Sequence, residues 1–166
     1  MKVTSNKDGW NRLKRSLLTQ QQKEVRVGWF PEHVYGADND NLQMAQVAAW
    51  NEEGHETAGM FSGGMPAPPR PFMRVWYPEE LKQSGDAKLA FQTIALSAFK
   101  QVDVGGALNP AGAVFSNLLQ QTMVKLNTPP NSEATIELKG FDDPLIETGQ
   151  LASSVDYKVV VKKRGD

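Results

Sequence analysis

The stretches EVRVGWF (24–30) and VDYKVVV (155–161) lie near opposite ends of the chain, and both repeat apolar residues every second position. Val25, Val27 and Trp29 stand against Glu24, Arg26 and Gly28, and Val155, Tyr157, Val159 and Val161 share the same period. Side chains two apart share one face of a β-strand, so both segments read as half-buried strands, the first ended by Pro31. A strand carries a row of backbone donors and acceptors that need partners. The natural partner of the second strand is the first, and the chain between them must leave the sheet and come back to it.

Elsewhere the apolar spacing is helical. Residues 8–22 put Trp10, Leu13, Leu17 and Leu18 on one face, with Asp8 available as a cap and basic residues opposite. Asn41 can cap an alanine-rich helix over 42–54 that closes at Gly54. Asp86 is placed to cap a helix over 87–102 with a stripe of Phe91, Ile94, Ala95, Ala98 and Phe99. Asn109-Pro110 opens the next, over 111–126, with Val114, Phe115, Leu118, Thr122 and Leu126 in a stripe, the two helices being joined through Gly105-Gly106. This order predicts an α+β fold, a small and mostly antiparallel sheet packed against several helices, with a long Gly/Pro-rich loop. At 166 residues the chain suits a single domain, 1–166, with a core of ordinary size.

The loop is HETAGMFSGGMPAPPRP, residues 55–71, which combines glycine hinges at Gly59, Gly63 and Gly64 with closely spaced prolines and no periodicity. Loops beyond about 12–15 residues are uncommon in compact domains and usually functional. Met60, Phe61 and Met65 give it apolar anchors, and Arg70, Pro71 and Phe72 mark where it rejoins the domain. These six residues are the candidate interface, and residues 55–71 the candidate assembly arm.

Charge and composition narrow the partner class. With 18 Lys+Arg against 19 Asp+Glu there is no broad basic surface, so the expectation is a protein partner and no sequence-specific nucleic acid. The absence of cysteine excludes disulfides and thiolate metal sites. No apolar run approaches the length of a membrane span, so synthesis in the cytoplasm without a membrane partner is expected.

Catalytic chemistry has few footholds. His55 lies among Glu52, Glu53 and Glu56, but the spacing is not HExxH and the second histidine, His33, is in another loop. Ser62, Ser153 and Ser154 lack a nucleophile-elbow frame, and Gly63-Gly64 and Gly105-Gly106 match no phosphate-binding pattern. Asp142, Asp143 and Glu147 could form an acid/base pair, yet they border Pro144 and a helix start, where carboxylates bond the local backbone. Lys162, Lys163 and Arg164 form a short basic run of the usual solvated kind. The expectation is a protein that is not an enzyme and has no cofactor or metal site. PAPPRP leaves open a Pro-rich adaptor domain, and His55 with its carboxylates a small metal-dependent hydrolase.

The segment KGFDDPLIETGQLASS reads as connection. Gly140 and Asp142-Asp143-Pro144 make a turn, Thr148 can cap a short helix GQLASS, and Leu145, Ile146 and Leu151 anchor the corner. The same residues carry a resemblance. Lys139, Gly140, Pro144, Leu145, Ile146, Thr148, Gly149, Leu151 and Ser154 resemble the C-terminal signature of the tail-completion, neck or virion-morphogenesis proteins of long-tailed bacteriophages. Upstream, Asn51, Glu52, Gly54, Pro66, Arg70, Pro71 and Phe72 resemble a second signature of those proteins, with the usual IPARPF spacing stretched to MPAPPRPF. The resemblance implies a non-enzymatic virion protein at the head–tail junction or tail end. It would work as a homo-oligomeric ring, of six copies, against other neck, connector or tail proteins.

Overall fold

The computed structural model describes residues 7–20, 23–56, 66–100, 104–145 and 149–162. The two alternating segments pair: β1 (Lys23–Gly28) and β2 (Asp156–Val161) run antiparallel, with Val25 opposite Val159 and Val27 opposite Tyr157. Around them are helices α1 (Lys7–Gln20), α2 (Met44–Glu53), α3 (Phe72–Val75), α4 (Gly85–Phe99), α5 (Val104–Lys125), α6 (Glu133–Lys139) and α7 (Gln150–Ser153). The fold is α+β and mostly helical. Among the described residues, no helix is long and apolar enough to cross a membrane.

Helix α5 organises the core because it lies across both strands and also touches α3, α4 and α7. Its Leu119 and Met123 are fully buried with Phe72, Met44, Ala48, Leu145, Leu151 and Val155. Ala111 and Phe115 pack with Leu81 and Ala87, and Val104 and Leu108 with Ala98. Close approach to the sheet depends on Gly112. A Cβ there would fall 2.1 Å from Cδ2 of Tyr157, so a side chain would force helix and strand apart.

The helix starts differ from those expected, each for a local reason. Gln43, not Asn41, precedes α2, because Asp40 and Asn41 take left-handed conformations (φ 53° and 52°) that close the turn after a short 3-10 segment, Ala37–Asn39. Ser84 caps α4, its Oγ accepting from the Ala87 amide at 3.2 Å, which leaves Asp86 in the first turn. Helix α5 begins at Val104, so Gly105-Gly106 lie in its first turn and Pro110 inside it. The proline removes only the bond to the Gly106 carbonyl, and the buried flank of Val104, Ala107, Leu108 and Ala111 carries the helix through. Gly149 (φ 73°) precedes α7, while Thr148, the expected cap, lies outside the described residues.

The stripe expected on α4 divides. Ile94 and Ala98 face the core with Ala87 and Ala90, Phe91 lies half-exposed against the Phe115 ring at 5.1 Å, and Ala95 and Phe99 face outward. On α1, Leu13 is half-buried, whereas Trp10 and Leu18 are exposed.

Candidate functional site

The arm's described residues form its base. His55 and Ala67 close it with a two-way antiparallel bridge, His55 N to Ala67 O at 3.2 Å and Ala67 N to His55 O at 2.7 Å. Gly54 makes room for this closure: its φ is +76°, and a Cβ would stand 2.8 Å from the Ala67 carbonyl oxygen. Asn51 then accepts the Arg70 amide on its carbonyl at 2.7 Å, while its side chain donates to the Val47 carbonyl at 2.9 Å. The two ends of the arm are thus tied by backbone bonds at 51–70 and 55–67. Met60, Phe61 and Met65 lie outside the described residues, as do Ser62, Ile146 and Glu147.

Glu52 and Arg70 anchor this base to the rest of the chain. The buried Glu52 carboxylate accepts the Met73 amide at 2.8 Å and the Arg74 amide at 3.2 Å, supplying acceptors to the orphan donors that begin α3. The Arg70 guanidinium donates to Asn131 Oδ1 at 3.1 Å and reaches the Pro129 and Pro130 carbonyls at 3.4 and 3.5 Å. Asn131 is itself held by its amide, which donates to Asp142 Oδ1 at 2.8 Å. Burial holds the Arg70 guanidinium below its ordinary value, and the Asp142 carboxylate offsets only part of that. Trp29 makes a further link: its ring meets Phe72 edge-on at 5.9 Å and its Nε1 donates to the Leu151 carbonyl at 2.9 Å.

Arg70 and Phe72, named above as interface residues, are therefore buried within the chain, and Pro71 is half-buried. They shape the base of the arm. Trp29 and Asn131 were missed as members of this frame. Trp29 read simply as a strand residue, and Asn131 follows two prolines with no periodic signal, so only the distant partners reveal them.

Several of the described residues considered for chemistry are engaged with backbone and neighbours. His55 Nδ1 lies 3.4 Å from the Trp50 carbonyl oxygen, and its ring stands 5.8 Å from the Trp50 ring. His33 Nδ1 accepts the Phe30 amide at 3.2 Å. Glu53 pairs with Arg74, whose guanidinium is held above its ordinary value chiefly by that hydrogen bond. Ser153 and Ser154 donate to the Gln150 and Leu151 carbonyls at 3.2 and 3.0 Å, and the Asp143 carbonyl accepts from Lys139 Nζ at 2.9 Å. Among the described residues no group of three His, Cys, Asp or Glu is placed to hold a metal ion.

The chain matches no family model, no curated protein and no solved structure. The site's geometry joins Arg70 and Phe72 to Asp142, Leu145 and Leu151 through Asn131, Trp29 and core packing.

Proposed function

We propose that the chain is a non-enzymatic virion structural protein that assembles as a ring, of six copies, at the head–tail junction or tail end of a long-tailed bacteriophage, with residues 55–71 as its assembly arm. The observation that supports this reading is the frame at the base of the arm. Glu52 and Arg70 are buried polar residues spent on backbone amides, carbonyls and one asparagine, and Gly54 is where only glycine fits the closure. Such a frame fixes the direction in which a segment leaves the domain, which suits a contact presented identically by every copy. Ring closure then repeats one contact at each interface, so a weak arm suffices.

Replacing residues 57–65 by a Gly-Ser linker of equal length leaves the His55–Ala67 bridge in place. The expected result is an unchanged melting temperature together with unjoined heads and tails in electron micrographs of the infected lysate. Joined, infectious particles at the wild-type titre would remove the arm from assembly.

A further inference from the structure

Helix α4 has two apolar stripes on opposite sides. Ala87, Ala90, Ile94 and Ala98 recur at three- and four-residue spacing and pack into the core. Leu89 and Leu96, each offset by two residues from that stripe, fall roughly opposite at about 100° per residue, with Phe99 beside them. They are 62, 55 and, for Phe99, 66% exposed. Residues 89–99 contain no charged side chain at all. Gln92 and Thr93 occupy the turn between Leu89 and Leu96, so the outer face is apolar toward its ends and uncharged throughout, and exposed apolar side chains grouped on one face mark a contact surface.

The charges at the ends of α4 are complementary to those of a second α4 laid antiparallel. Ser84 caps the helix, Asp86 lies in its first turn with Lys88 on its flank, and Lys100 follows the last turn, so Asp86 and Lys100 stand at opposite ends. Two such helices laid antiparallel place each Asp86 beside the other's Lys100, oppose their dipoles favourably, and bring two uncharged middles together. Thr93 lies midway between 86 and 100, where the two-fold axis of such a pair would pass. We propose that α4 packs antiparallel against α4 of a second copy of this chain, through Leu89, Leu96 and Phe99, with Asp86 and Lys100 paired at both ends. This two-fold contact is independent of the virion reading.

Sedimentation equilibrium of the purified full chain tests it. Wild type is expected to dimerise reversibly, and Leu96→Glu to weaken the dimer by at least about tenfold with unchanged circular dichroism. Asp86→Lys and Lys100→Asp each weaken it, and the double reversal restores it. The chain has no cysteine, so Thr93→Cys provides a unique thiol that forms a disulfide-linked dimer under mild oxidation, whereas Glu133→Cys on α6 does not. A wild type that stays monomeric, with the face then left to another protein, would overturn the proposal. So would a double reversal no better than the single ones. Should Leu96→Glu fail to fold, a Thr93→Cys protein that stays monomeric on oxidation overturns it equally.

Discussion

Phe72→Ala is expected to lower the stability of the fold by about 4 kcal/mol, read as a drop in denaturant midpoint at constant m-value. The ring is completely buried, at the start of α3, among Met44 and Ala48 of α2, Leu119 and Met123 of α5, and Leu151 of α7. Truncation removes the ring's transfer free energy, leaves a cavity where four helices meet, and ends the edge-on contact with Trp29. Domains of this kind hold about 5–15 kcal/mol in total, so a large share disappears with one side chain. Phe72→Leu keeps most of the volume and is expected to cost less than half as much. A loss below about 1 kcal/mol for Phe72→Ala would mean that the ring is not a core residue.

Glu52→Ala is expected to cost about 3 kcal/mol, the second largest effect. The carboxylate accepts two backbone amides at the start of α3, and without it both are left unpaired in a half-buried place, at about 1–3 kcal/mol each before relaxation. Glu52→Gln keeps one acceptor oxygen but turns an amide nitrogen toward a donor, so about half the loss is expected. Faster hydrogen exchange at the Met73 and Arg74 amides in Glu52→Ala locates the damage at α3. Because Glu52 and Phe72 secure the same helix start, their double variant should lose less than the sum of the two. Wild-type stability in Glu52→Ala would show that the amides find other acceptors.

The sheet was legible because alternation is a direct imprint of strand geometry. Val25, Val27, Tyr157 and Val159 take the positions their spacing implies, and β1 finds β2 across nearly the whole chain. Helices α1, α2, α4 and α5 were legible from period, but their ends were not. Ser84 outcompetes Asp86 as the cap because its oxygen reaches the Ala87 amide, and tertiary packing carries α5 past Pro110. Two elements went unread. Helix α6 had its signals in plain view, Ser132 accepting the Thr135 amide and Gly140 left-handed at φ 79°, but its face is half-exposed and lacks a stripe. Helix α3 runs into a π turn, Trp76–Leu81, which holds Pro78 and widens the coil where a proline would otherwise meet the carbonyl four residues back.

The candidate site was only half legible, for a different reason. Its glycine and its arm could be named from composition, since Gly54 and the proline run stand out in one dimension. The frame could not, because Arg70 with Asn131 and Trp29 with Leu151 are pairings between residues 61 and 122 positions apart. Arg70 was named where the arm rejoins the domain, and its burial against the Pro129 and Pro130 carbonyls makes it a fastener there. The exposed leucines of α4 were hidden by the opposite effect, since an apolar helix reads as core on every side.

The proposal that this chain belongs to a virion is tested most directly by finding it there. If the proposal holds, virus particles purified from cells that produce the chain, separated into heads and tails and examined by quantitative mass spectrometry, contain it at six copies per particle, in the fraction that retains the junction or tail end. Its absence from intact particles, with abundant protein in the same lysate, would contradict the virion reading.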